Sequence, residues 1–286
     1  MAKRNLTQGE LFEIRQALHV AVIDALMSAR RWEPSDLLFQ GGTSLHLAHG
    51  SPRFSEDLDF LVDSSLNLGD LSASIKSRLS GLSWFPADMS LSVGKSKEAR
   101  NPHSFVVTLG GKQVIGAVRV KVEMWMTDRN TISPLGLVVA PIQVASGMGA
   151  GMRTFVPTAV IGEIFADKVF ALGARDYIKP RDVFDIDWIV ANHEGVACSE
   201  RQMEIRFATY PNMSIEEWLS RADVRLSQLK ASNAAIKKEL GRWLPSYYAL
   251  GDDDIARMIH RSVEALNSGR QLVDAIASRS GASPSP

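Results

Sequence analysis

From residue 117 to residue 126 the chain alternates without a break. Val118, Val120, Val122, Met124 and Met126 fall on one side of an extended strand, and Arg119, Lys121, Glu123 and Trp125 fall on the other, because successive strand side chains point to opposite faces. Such a segment belongs to a sheet with one packed face and one face left for solvent or chemistry. That excludes an all-helical bundle and a rod. An apolar run at 104–109 precedes it, and Gly110-Gly111-Lys112-Gln113 lies between the two, so an antiparallel hairpin is expected. Further strands are expected near 37–39, 57–62 and 89–93. The spacing of Leu11, Ile14, Leu18, Val22 and Leu26 predicts an amphipathic helix over 8–32. Shorter helices are expected over 43–48 and 66–80.

Beyond Ser146-Gly147-Met148-Gly149-Ala150-Gly151 the period changes from two to nearly four. Helices are expected over 158–174, 181–193, 199–208, 214–230 and 252–277. Thr158, after Pro157, is placed to cap the first, and Ser214 with Glu217 has capping-box spacing. The chain therefore reads as α+β, with an α+β half over 1–155 and an all-helical half over 156–286. A length of 286 residues suits two such units. With 45% apolar and 22% charged residues, a disordered tail protein and a collagen-like fibre are excluded. Lys plus Arg balances Asp plus Glu at 32 each, so any basic surface must be local. Cys198 is the single cysteine, which excludes a disulfide framework or a cysteine-rich zinc site and fits a reducing compartment. The opening MAKRNLTQGELFEI carries no apolar signal core and no run approaches eighteen apolar residues. A soluble, cytoplasmic protein without a membrane partner is expected.

Two features of the first half carry chemistry. Gly41-Gly42-Thr43-Ser44 stands at a strand-to-helix junction, where glycines let a ligand approach the backbone and a helix N-terminus offers N–H groups to phosphate. A tight turn before a helix explains the glycines equally well. Asp57 and Asp59 are two apart on a strand, so both carboxylates project from one face at about 7 Å spacing. Paired carboxylates repel, and a divalent cation relieves the repulsion. Glu123 on the polar face of a neighbouring strand adds a third acid, and an oxygen-only set favours Mg²⁺ or Mn²⁺ over zinc. Together these point to phosphoryl chemistry on a nucleotide by in-line displacement. The helical half supplies cations. Lys168 and Arg175 are seven apart on one helix face with Leu172 between them, a spacing that snorkelling side chains also satisfy. Asp182 either answers the helix dipole or orients Lys168 or Arg175.

The run Phe39-Gln40-Gly41-Gly42-Thr43-Ser44-Leu45, then Arg53-Phe54-Ser55-Glu56-Asp57-Leu58-Asp59-Phe60, resembles the first motif of the AbiEii/AbiGii-type nucleotidyltransferase toxins. Those toxins belong to the DNA polymerase β-like superfamily, with the MenT toxins as relatives. Val120 to Glu123 resembles the strand of the third acid. Glu163 to Lys168 and Lys179 to Asp185 resemble the later lysine and arginine-aspartate motifs. The resemblance spans about 37–190 in four ordered motifs. It implies a nucleotidyltransferase-like mixed sheet with flanking helices, and a helical domain that completes the nucleotide and acceptor site. It further implies a magnesium-bound nucleoside triphosphate, a cognate antitoxin encoded nearby, and transfer of a nucleotide, often a pyrimidine, to the 3′ end of tRNA, which blocks translation. Carried onto this chain, Asp57 and Asp59 hold metal with Glu123, Gly42, Thr43, Ser44, Arg53 and Ser55 contact the nucleotide, Lys168 and Arg175 neutralise the triphosphate, and Asp182 completes the catalytic set.

Local basic segments fit an RNA surface: Lys95, Lys97, Arg100, Lys112, Arg119 and Lys121 in one, and Arg221, Arg225, Lys230, Lys237, Lys238 and Arg242 in the other. Ordinary solvated charge fits them equally. Trp84, Trp125 and Trp243 are core residues before they are base-stacking ones, and His46 and His49 read as structural. Two other functions suit the same residues: nucleotidyl transfer to a protein or small-molecule hydroxyl, and an inert nucleotide-binding partner module.

Overall fold

The computed structural model describes residues 3–69, 71–94, 101–210 and 212–281. The chain divides into two compact units, one of Met1–Gly50 with Phe54–Ala159 and the other of Ser51–Arg53 with Val160–Pro286.

The first unit contains β1 (Arg4–Asn5), α1 (Gln8–Ala29), β2 (Leu37–Gln40), α2 (Gly41–His49), β3 (Leu58–Asp63), α3 (Leu71–Leu79), β4 (Ser90–Val93), β5 (His103–Gly110), β6 (Val114–Ile115), β7 (Ala117–Thr127), α4 (Arg129–Ile132), β8 (Leu137–Gln143) and β9 (Arg153–Ala159). Seven strands form a sheet in the order β4-β5-β7-β3-β2-β9-β8, and β1 pairs with β6 apart from it. The sheet is mixed: β3 runs parallel to β7, and β2 parallel to β9. The expected hairpin is present as an antiparallel ladder from His103 opposite Met124 to Gly110 opposite Ala117. β6 lies in its connection.

Helix α1 starts at a full capping box, in which Thr7 Oγ1 accepts from the Glu10 N–H and the Glu10 carboxylate accepts from the Thr7 N–H. Ile14, Leu18, Val22 and Leu26 are fully buried and share one core with Phe39, Phe60, Val120 and Val122. Each such side chain contributes about 1.5–3 kcal/mol on leaving water. The apolar face of β7 thus faces this core, and its other face holds Arg119, Lys121 and Glu123.

Two expectations are corrected at the end of this unit. Residues 137–143 form β8, a strand the sequence reading did not include. Thr158 does not cap a helix: it is buried in β9 opposite Phe39, and its hydroxyl donates to the Val156 carbonyl. Val160 is the N-cap of the following helix, without a side-chain cap. Pro141 and Pro157 sit within these strands. Proline cannot donate to a ladder and weakens a strand pattern, and Val138, Val139 and Phe155 are exposed, so the alternation is blurred where β8 forms the sheet edge.

The second unit consists of α5 (Ile161–Ala174), α6 (Pro180–Asn192), α7 (Glu200–Thr209), α8 (Ile215–Leu229), α9 (Asn233–Leu240) and α10 (Asp252–Gly281). Trp218 is its fully buried centre, and its indole N–H donates to the Phe170 carbonyl at 2.9 Å. Gly173 is where α8 meets α5: a Cβ there would lie 2.4 Å from the Trp218 ring. Ser214 caps α8 by accepting from the Glu217 N–H, and the Glu217 carboxylate accepts from Arg221 one turn on. Helix α9 was not expected, being short and carrying Lys237, Lys238 and Glu239 among its eight residues.

Candidate active site

In the first unit the glycine turn joins β2, all four of whose residues are buried, to α2. Gly41 has φ +78°, and a Cβ on it would lie 2.6 Å from Asp59 Oδ2. Only glycine accepts both the left-handed backbone and that approach. The Asp59 carboxylate therefore lies beside the first residue of α2, at the positive end of the helix dipole. Thr43 and Ser44 are fully buried. The Thr43 hydroxyl donates to the Asp57 carbonyl, so it fixes the backbone of the acidic segment rather than pointing outward. Ser44 Oγ is buried without a hydrogen-bond partner, which costs roughly 1–3 kcal/mol until a ligand atom meets it.

Asp59 is in register with Gln40 on β2 and with Glu123 on β7. Adjacent strands bring directly opposed side chains onto one face within about 5 Å, so the sheet sets Asp59 beside the third acid. Glu123 is ion-paired with Lys121, two residues back on the same face. The Lys121 ammonium is held above its ordinary range chiefly by that pairing, with Asp57 and Asp59 adding to it. Among the described residues no three His, Cys, Asp or Glu side chains are grouped closely enough to hold a metal ion by themselves. The donor set is nonetheless oxygen-only, as Mg²⁺ and Mn²⁺ require, and the Asp57 and Asp59 pair fits such an ion. Glu123 is engaged by Lys121.

The segment carrying Phe54 to Asp57 is anchored from below. The Phe54 ring stacks on Phe12 with centroids 4.0 Å apart and lies against His46. His19 Nε2 donates to the Glu56 carbonyl at 2.9 Å. Burial depresses the His19 pKa to about 3, so the ring is neutral. His49 reaches the Ala159 carbonyl at 3.0 Å, a structural contact between α2 and β9. Ser55 is half-buried within the anchored segment.

In the second unit a buried ionic cluster joins α5, α6 and the short segment Ser51–Arg53. Arg53 grips Asp185 bidentately, Nε to Oδ1 at 2.7 Å and Nη2 to Oδ2 at 2.8 Å. Lys168 Nζ bridges Asp182 Oδ1 at 2.9 Å and Asp185 Oδ2 at 2.8 Å. Arg175 is ion-paired with Asp182 from its more open side. Three cations thus face two carboxylates. Burial acts to lower the Lys168 pKa, against the attraction of Asp185. Burial acts to raise that of Asp185, but Arg53 and Lys168 overcome it and hold the carboxyl at about 2. The guanidinium of Arg53 is 2% exposed, so its contact with a ligand is routed through Asp185 and Lys168. Proline at the first turn of α6 sets the start of the helix, which puts Asp182 and Asp185 on one face.

The family model of the nucleotidyl transferase AbiEii toxin, type IV toxin–antitoxin system, matches residues 25–267. The chain belongs to this family. The AbiEii proteins are nucleotidyltransferase toxins, and the fold is shared with solved structures. A putative nucleotidyltransferase from Helicobacter pylori superposes with a TM-score of 0.50 at 20% identity, over 90% of this chain and 97% of that one. MenT4, a nucleotidyltransferase toxin from Mycobacterium tuberculosis H37Rv, superposes with a TM-score of 0.53 at 17% identity, over 94% and 93%. No curated protein matches the sequence.

Within this AbiEii chain the expected basic segments divide. Lys95, Lys97 and Arg100 lie outside the described residues. Lys112 and Arg119 are exposed. In the helical unit, Arg221 is tied to Glu217 and Asp176, Lys237 to Asp252, and Arg225 is buried against Gln228. Lys230, Lys238 and Arg242 remain exposed. Trp243 packs under the Arg181 guanidinium, 4.6 Å from its ring centroid. Among the described residues no helix is long and apolar enough to cross a membrane. The sequence reading missed His19 and the role of Asp185. A histidine within an otherwise apolar helical stripe was the available signal for the first. No local signal pairs Asp185 with Arg53, 132 residues away.

Proposed function

We propose that this AbiEii protein transfers a nucleoside monophosphate, a pyrimidine one, from its triphosphate to the 3′ end of tRNA in the cytoplasm, and that a neighbouring antitoxin opposes it. The observation that carries the reading is the placement of Asp59, beside the uncapped first residue of α2 on one side and in register with Glu123 on the other. Residues 1–155 form the transferase domain in this reading, and 156–286 complete the nucleotide and acceptor site.

Asp57 and Asp59 are the residues that hold Mg²⁺, with Glu123 joining when Lys121 releases it. Bound there, the ion lowers the cost of charge developing on the triphosphate. Gly42 and Ser44 offer the α2 terminus and an unpartnered hydroxyl to phosphate oxygens, with Ser55 nearby in sequence. Lys168 and Arg175 engage the triphosphate, because their cluster carries one cation more than its two carboxylates neutralise. Asp182 aims both cations, Arg53 fixes Asp185, and Thr43 fixes the Asp57 backbone.

The test is incubation with labelled CTP, UTP, GTP and ATP, bulk tRNA and Mg²⁺. Label on the tRNA 3′ end from the wild type, absent with Asp59→Ala and in chelator, supports the reading. Label on a protein or a small hydroxyl compound, or none at all, refutes it.

A further inference from the structure

We propose that a cavity of the first unit on the Asp57 side of the carboxylate pair receives the phosphodiester backbone of the RNA acceptor. This rests on the reading of Asp57 as part of the transferase centre. The cavity measures about 540 Å³, inside the span of roughly 300–1,000 Å³ typical of ligand sites. Arg15, Arg119 and Lys121 form its cationic wall, Glu56 and Asp57 close the other side, and Gly116 and Ala117 keep one edge low.

Three observations select this occupant. The glycine turn lies against Asp59, whereas of the two aspartates only Asp57 lines the cavity. The pair therefore has one side for the nucleotide and another for a second substrate. Arg119 and Lys121 are two apart on the polar face of β7, about 7 Å apart along the strand, a spacing that meets successive phosphates better than a single anion. Arg119 is exposed and forms no ion pair among the described residues, and Arg15 is only 4.0 Å from Glu56, so their charge is available to an incoming polyanion. A cationic small molecule is repelled by the same wall. The lining holds no aromatic ring, so the grip is on the backbone and is indifferent to base sequence.

The experiment measures binding of a fluorescent single-stranded RNA with a free 3′ hydroxyl by anisotropy, across a salt series, for wild type, Arg119→Ala and Arg119→Glu. Melting temperatures confirm that all three are folded. Each phosphate contact contributes about 0.7 to the slope of log K against log salt for single strands. Arg119→Ala is expected to lower that slope by about 0.7 and weaken binding on the order of tenfold, equally for pyrimidine and purine sequences. Arg119→Glu weakens it further. The acceptor KM rises in both while the triphosphate KM stays unchanged. If folded variants keep the wild-type slope and acceptor KM, the cavity assignment is overturned, whether or not label is transferred. If the wild type transfers no label to tRNA, the functional reading fails, and the salt slopes still decide the cavity separately.

Discussion

Replacing Asp185 with asparagine isolates the electrostatics of the helical unit. The side chain is fully buried and holds two cations, Arg53 with a 2% exposed side chain and Lys168 with a 9% exposed one. Asparagine keeps the shape, so no cavity contributes, and the change removes one charge from a site without water. Removing one partner of a buried ion pair costs about 3–5 kcal/mol, because the remaining charge is left uncompensated. The carboxyl's own titration gives a similar scale. Its depression from 3.8 to about 2 in the folded state is worth roughly 2.5 kcal/mol. The folded pKa is the lower one, so this stability is fully present above about pH 4 and is lost as pH falls toward 2. At pH 7 the whole effect is therefore measurable. For a unit of this size, roughly 4 °C per kcal/mol converts 3–5 kcal/mol to a fall of roughly 12–20 °C in the melting transition. Calorimetry of the full chain reads it, with Asp57→Asn as the control expected to melt like the wild type or slightly higher, since it relieves carboxylate repulsion. A fall of less than about 4 °C for Asp185→Asn would refute the claim that this cluster holds the unit together.

His19 gives a second test. Its pKa falls from 6.5 in the unfolded chain to about 3 in the fold, so the unfolded state binds the extra proton between those values. Stability is full above pH 6.5 and drops by about 1.4 kcal/mol per pH unit below it, roughly 2 kcal/mol by pH 5. Urea melts at pH 7 and pH 5 should show that difference in the wild type and lose most of it in His19→Gln, and an equal pH slope in both would rule His19 out as its source. Gly41→Ala forces a left-handed alanine, costing about 1–2 kcal/mol, and drives a methyl against the Asp59 carboxylate. Nucleotidyl transfer should be abolished while the melting temperature falls only modestly, and retained transfer would show that Asp59 tolerates displacement.

The strands of the central sheet were legible because their alternation is strong: β7 matched the reading from Val118 to Met126, and β3 from Leu58 to Val62. The long amphipathic helices were legible for the same reason, with α1, α6 and α8 falling within a few residues of expectation. The glycine turn was visible as composition, but its necessity was not. That Gly41 must be glycine follows from Asp59 standing 2.6 Å from its would-be Cβ, a contact eighteen residues away in sequence. The edge strand β8 escaped detection because an exposed edge needs no clean alternation and tolerates proline.

The local sequence by itself determined where the chain extends and where it coils, and it put two aspartates on one strand face through a period that no folding can alter. Which charges meet was left to the tertiary structure. Arg53 pairs with Asp185 across 132 residues, Asp59 comes level with Glu123 through a parallel register, and Arg15 reaches the rim of a cavity lined by β7. Pairings between distant segments depend on packing and burial, which set the local dielectric and so decide whether a charge is solvated or must find a partner. No local pattern encodes that choice.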